Sequence, residues 1–497
     1  MKKIFIISAI ALSTVFGSCD SYLDINESPN SPTEGNVETY MLLPAIEMHI
    51  ASSYGDYLRI VGGFHSMHYA HLNGTSNYLD YSQFSMSATR SSGAYTQFTQ
   101  KALQNLKTTL AKSSAAEDWG TYLAATTLRA FVYQALVDCY GEVPYTEALD
   151  PTNLSPKYDD GQLIYEGVLA ELNAALEHAS ASNPVATNFL YSSATAGKWI
   201  QFANALKLKM LMRMADVKNV QSELAALIAE DNFPTSDVCY KDCWSNEIGQ
   251  MNPFYAEEFN TGVQTNVAAN VAIIGSMLIT DGDGSTYQDP RLEKFFLKNS
   301  DGVYVGSVSG TQYPGGTSLT KWCRPVASYD MPLYLITLSE IEFFKAEYYA
   351  RYGSATDAAA HYAAAIEASF ATAGATGADE YVARYPYDQN NFKKSLGNAK
   401  WVVLAGVNSF EAWCEMRRLN YPEFGTVKGS DLYKEGDDDS FDPSKYVPYT
   451  LYTPIQVFGQ LGENKILERY PYAESSSARN PNTPTFPGYA TPVFWGK

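Results

Sequence analysis

Basic residues are scarce in this 497-residue chain, where 35 Lys and Arg stand against 54 Asp and Glu for a formal net charge of −19. A phosphate polyanion needs a clustered basic footprint, so nucleic acid is excluded as a partner. Cysteine is scarce too, at six residues. Setting Cys19 aside as a lipidation site leaves an odd number, which argues against a disulfide scaffold. Cys139 and Cys414 fall in helical apolar patterns and read as small buried hydrophobes, while Cys239 and Cys243 lack the nearby His or Cys that zinc requires. The nucleophile elbow, the zincin helix and the phosphate-cradling glycine loop are all missing, so no catalytic site is assigned. Acidic pairs are too abundant to mark one.

Long apolar runs are missing as well, apart from Ile4 to Phe16, which follows Lys2 and Lys3 and meets Gly17, Ser18 and Cys19. That run is shorter than the roughly 20 residues a spanning helix needs, and small residues sit where a peptidase would cut. Residues 1–18 are therefore expected to be a signal peptide. Cleavage would free Cys19 for lipidation, and two acyl chains suffice for stable anchoring at about 0.8 kcal/mol per buried CH₂. Residues 19–35, polar and carrying Pro29 and Pro32, read as an extended tether.

Helices dominate the rest of the chain. Between Asp118 and Cys139 the positions Leu128, Phe131, Val132, Ala135, Leu136 and Cys139 recur at three and four, as one buried helical face requires, and Gly141 and Pro144 end the pattern. Similar patterns cover 161–180, 196–215, 339–351 and 356–370. The last two form a pair around Gly353, with small residues that let helices approach closely, and look tetratricopeptide-like although no 34-residue period can be followed. Residues 281–316 hold seven glycines and read as loops with one hairpin; residues 440–497 hold eight of the 23 prolines and read as a long irregular wrap. No interior linker divides the body, so 36–497 is expected to be one unit.

Several segments, taken in chain order, resemble the SusD/RagB family of nutrient-binding outer-membrane lipoproteins. They are Cys19 with Leu23 and Asp24, Asp138 through Tyr145, Trp199 through Leu208 with Arg213, and Asp289-Pro290-Arg291. Glu340 to Glu347, Lys400-Trp401, Glu411-Ala412-Trp413 with Arg417-Arg418, Arg469-Tyr470-Pro471 and Val493-Phe494-Trp495 complete the set. The resemblance implies a mainly α fold of tetratricopeptide-like repeats with long irregular loops and little strand. It also implies a surface location in the outer membrane, no cofactor, and a TonB-dependent, SusC-like transporter as partner for a captured glycan or peptide. A glycan-degrading surface enzyme on a helical scaffold and a passive tetratricopeptide scaffold also fit the helix pattern.

Some motifs that look like sites have plainer roles. Asp138 to Tyr145 reads as a corner set by Gly141 and Pro144, and Trp199, Trp401 and Trp413 as core. His65, His68 and His71 repeat every third residue, yet on a helix the outer two diverge by about 120° and cannot share one ion. The loop Asp281-Gly282-Asp283-Gly284-Ser285 alternates oxygen ligands, but Thr286 and Leu292 occupy the sixth and twelfth positions where a calcium loop carries Gly and Glu. No metal is expected. Tyr outnumbers Phe by 37 to 23, and an amphipathic ring offers a flat apolar face and a hydroxyl to a sugar. Tyr78, Tyr81, Trp244, Tyr255, Tyr313 and Trp322 lie in glycine-, asparagine- or proline-rich settings, where binding residues concentrate, and are expected to converge on one exposed face.

Overall fold

The computed structural model describes residues 38–72, 77–191, 195–260, 266–310, 321–434 and 437–496. The signal peptide, Cys19, the tether and Tyr313 lie outside them. Helices of six or more residues are α1 (Thr39–Ser52), α2 (Arg59–His65), α3 (Ala88–Thr96), α4 (Leu103–Ala115), α5 (Trp119–Tyr140), α6 (Gly161–His178), α7 (Gly197–Met214) and α8 (Gln221–Glu230). They continue with α9 (Pro253–Glu258), α10 (Val271–Met277), α11 (Leu338–Tyr352), α12 (Ala355–Ala373), α13 (Ala378–Arg384), α14 (Phe392–Leu404) and α15 (Ser409–Leu419). Single π-helical segments, Ser53–Leu58 and Gln97–Ala102, join α1 to α2 and α3 to α4. Strand is confined, among the described residues, to six two-stranded ladders. A hairpin pairs Leu278–Thr280 with Thr286–Gln288 at the start of the glycine-rich loops, whereas Val303-Tyr304-Val305, where the one hairpin was expected, form no strand. No helix among the described residues is long and apolar enough to cross a membrane.

Local chemistry sets the helix ends. Asp118 caps α5 by accepting from Thr121 N at 3.2 Å, and Gly141 at φ +82° stops it. Thr337 and Glu340 form a reciprocal capping box at the start of α11, and Ser354 caps α12. Helices pack as neighbours in sequence, α5 with α6, α11 with α12 and α14 with α15, the repeat arrangement the α11–α12 pair suggested. The crossing of α2 on α15 needs Gly62, where a Cβ would lie 2.5 Å from Phe410 Cα.

Through the middle of this helical body runs a buried ionic network. Arg213 on α7 pairs with both Asp138 on α5 and Glu411 on α15, all buried, and Lys209 meets Glu411 at 3.0 Å. Glu415 joins Lys400 at 2.6 Å and Arg418 at 2.7 Å, and Arg418 reaches Glu347 of α11 at 2.6 Å. Burial by itself would raise the Glu411 carboxyl, but Arg213 and Lys209 hold it well below the ordinary range. Asp138 also accepts from Tyr165 OH at 2.5 Å and Trp495 Nε1 at 2.8 Å. The proline-rich carboxyl end is thereby fastened to the corner after α5, with Arg469 meeting Glu142 at 3.0 Å.

The histidines have a different setting from the helix assumed for them. The helix stops at His65, His68 lies in a turn and His71 in a strand, and all three are buried. His68 lies 3.0 Å from Ser409 Oγ and 2.8 Å from the Trp401 carbonyl, so its ring joins α15 to α14. Burial lowers their pKa values to about 3, 3 and 4. Among the described residues no group of three His, Cys, Asp or Glu could hold a metal ion. At the other candidate loop, Asp281 is taken by Arg384 and Asp283 by Ser285.

Candidate binding site

A cleft of about 270 Å³ opens where the π-helical turn, α2, the 77–84 segment, α3 and α9 meet. Asp56, Tyr57, Tyr78, Tyr81, Arg90 and Glu257 are among its walls. Tyr78 takes a left-handed backbone, φ +64°, a conformation a bulky residue holds only when its surroundings fix it. Its surroundings are evident. The ring stacks on Tyr81 at 5.5 Å and 16°, leans on Phe64 at 5.6 Å, and the hydroxyl donates to Glu258 Oε1 at 2.7 Å. Glu258, 2% exposed, also accepts from Asn266 N at 3.0 Å.

The opposite wall comes from α3, where Ser87 caps the helix through Arg90 N. Arg90 binds Asp80 at 3.1 Å and lies 5.2 Å over the Tyr81 ring, while Tyr57 OH donates to the Arg90 carbonyl. Gly93 lets the Tyr57 ring lie flat on the helix, since a Cβ would stand 3.0 Å from two ring carbons. Three carboxyl groups, Asp56, Glu257 and Glu258, share this corner. Burial, then Glu257 and Glu258, push Asp56 up to about 8, so it carries its proton at neutral pH. The cleft thus offers aromatic faces, a guanidinium and the carboxyl groups of Asp56 and Glu257, the first of them protonated. That set can stack on the C–H face of a polar ring while donating to and accepting from its hydroxyls.

Of the residues picked out from sequence, Tyr78 and Tyr81 stand together in the cleft, although Tyr81 is 2% exposed rather than displayed. Tyr255 is on α9, half-buried and stacked on Phe259 at 6.1 Å, one turn from Glu258 but not in the cleft wall. Trp244 is half-buried and donates to the Tyr240 carbonyl at 3.1 Å, away from the cleft. Trp322 is a correction: it is 2% exposed and belongs to the main hydrophobic core, so it lies on no exposed face. Sequence reasoning missed Asp56, Tyr57, Arg90, Glu257 and Glu258. The available signal was Asp56 as the one charged residue in the Ser53–Leu58 segment between α1 and α2.

Residues 29–440 match the SusD-like family described as "Starch-binding associating with outer membrane". The chain belongs to that family. Among solved structures, a SusD homologue from Bacteroides uniformis aligns over 93% of this chain and all of its own, with 20% identity and a TM-score of 0.70. A chitin-binding SusD homologue from Flavobacterium johnsoniae aligns over 90% of this chain and 98% of its own, at 18% identity and 0.70. A SusD/RagB family protein from Bacteroides thetaiotaomicron aligns over 93% and 100%, at 19% and 0.69. No curated protein is similar in sequence. The helical architecture of this chain is that of SusD-like proteins.

The cleft should lose affinity without losing stability when its rim is trimmed. Arg90 is exposed, so Arg90→Ala should move the thermal midpoint little, the usual effect of a surface change being under about 0.5 kcal/mol. Ligand affinity, measured by calorimetry, should fall about tenfold, equivalent to about 1.4 kcal/mol.

Proposed function

We propose that the chain is a cell-surface nutrient-binding lipoprotein, not an enzyme, that captures a glycan or other oligomeric nutrient and delivers it to a TonB-dependent, SusC-like transporter. The observation that carries this reading is the cleft at Tyr57, Tyr78 and Tyr81, a concave aromatic site with a few convergent polar groups on a rigid helical body. The family description supports glycan binding at the outer membrane, and the chitin-binding homologue is a protein of this fold that binds a polysaccharide. In this reading Cys19 carries the lipid, residues 19–35 are the tether, and residues 36–497 act as one body. Trp244 and Tyr255, outside the cleft lining, would then support loops rather than touch the ligand directly.

One arrangement favours hydrolysis as a second reading, namely Asp56, raised by burial, beside Glu257 and Glu258, a grouping that could pair an acid with a nucleophile. Against it, Glu258 is engaged by Tyr78 and Asn266 and serves as a fixed acceptor. Incubation with chitin and starch oligosaccharides should release no new reducing ends.

Transport delivery is tested by affinity purification from the native envelope in mild detergent. The expected result is co-purification of a TonB-dependent barrel, since a lid over a pore needs an interface above about 2,000 Å². Recovery of the protein alone would remove the transporter from the proposal. With Cys19→Ala, the protein should leave the membrane fraction.

A further inference from the structure

A second cleft, of about 340 Å³, lies between α13, α14 and the segment that carries Tyr449. Its size falls in the range of about 300 to 1,000 Å³ typical of small-molecule sites. Tyr385 and Tyr449, both half-buried, meet edge to face with ring centroids 5.1 Å apart and planes 65° apart, and the buried Tyr381 backs Tyr385 at 4.9 Å. Tyr449 holds a left-handed backbone at φ +58°, as Tyr78 does at the first cleft, and its N–H is fixed on Ser276 Oγ at 2.8 Å. Arg384 locks the wall by binding Asp281 at 2.5 Å and donating to Tyr385 OH at 3.1 Å.

One polar atom in this wall is left over. The Asn398 amide oxygen is buried and has no hydrogen-bond partner, although the residue lines the cleft one helical turn from Lys394. A buried acceptor without a donor is costly in a folded protein, and the cleft is the space from which a donor could come. An anion cannot donate to it. A cation would have to settle beside Lys394 and Arg384. A neutral ligand bearing hydroxyls does both jobs, donating to Asn398 and accepting from Lys394, while its C–H face covers the tyrosine rings.

We propose that this cleft is a second carbohydrate site, built for a neutral sugar ring that stacks on Tyr385 and Tyr449 and donates a hydroxyl hydrogen to Asn398 Oδ1. It lies apart from the first cleft and takes no residue from it, so either site can fail alone. Two sites on one rigid body let a single oligosaccharide, or two, be held at once, which strengthens capture of long chains without any tighter contact at either site.

The test uses the purified protein with chitotetraose and maltoheptaose as probes. Crystals soaked with each should show a sugar ring on Tyr385 and Tyr449. Calorimetry on Asn398→Leu and, separately, Lys394→Ala should show affinity at this site reduced about tenfold, with the Arg90→Ala background isolating it from the first cleft. The thermal midpoint of Asn398→Leu should hold or rise, because the variant removes an unsatisfied acceptor; a fall would make Asn398 a structural residue and overturn the proposal. Neither probe in the soaked cleft, or binding abolished entirely by Arg90→Ala alone, would also overturn it, and the latter would leave the first cleft's role intact.

Discussion

Replacing Arg213 with methionine should cost about 3 to 5 kcal/mol of unfolding free energy, read as a lower denaturant midpoint, because it leaves the buried Asp138 without its cation and Glu411 with Lys209 alone. Asp138 and Glu411 are each fully enclosed, and Arg213 is the cation that touches both. The cost arises from the groups left behind, not from the loss of an unusually favourable pair. Lys209 remains on Glu411, whereas Asp138 is then held only by neutral donors from Gln134, Tyr165 and Trp495. An exposed pair gives the control. Lys428→Ala, at a bridge whose side chains are 49% and 60% exposed, should change the midpoint by less than about 1 kcal/mol. Equal effects from the two variants would show that the network does not bear on the central helices in the way its geometry requires.

The same network is the part of the fold least legible in the sequence. The helices themselves were legible, because a buried face repeats every three to four residues and because Gly141 and Pro144 announce the end of α5. The corner at Asp138 to Tyr145 was legible for the same reason. The role of Asp138 was not, since its partners Arg213 and Trp495 are 75 and 357 residues away and no local pattern encodes them. The histidine triad failed on a local detail, in that α2 ends at His65 and the assumed helical geometry never applies to His68 or His71. At the cleft, Tyr78 and Tyr81 stood out through the irregular segment around them. Asp56 and Arg90 did not, because each is part of a helical stretch where a single charge passes for a solvated position. Trp322 misled through the glycines before it, which suggest a surface loop, whereas the chain resumes into a short strand and carries the indole into the core.

Asp56→Asn should remove the pH dependence of stability that the first cleft imposes. The folded state holds this proton up to about pH 8, whereas an unfolded aspartate gives it up near its ordinary value of about 4. Between those limits the folded protein binds the extra proton, so its contribution to stability is complete at the acid end and is lost as pH rises to about 8, at about 1.4 kcal/mol per pH unit. The histidines act in the other sense. With folded values near 3 to 4, they contribute stability above about pH 6.5 that is lost as pH falls. They are common to both proteins and cancel in the difference between variant and wild type. That difference should be small at pH 4 to 5 and should favour the variant by on the order of 4 kcal/mol near pH 8, measured as unfolding free energy across the range. Ligand affinity should move the opposite way and fall in the variant, because a carboxyl kept beside Glu257 and Glu258 at a cost in stability is the kind of strained group that binding sites retain. Parallel curves for the two proteins would mean that Asp56 is already ionised at neutral pH and offers the ligand an acceptor instead of a donor.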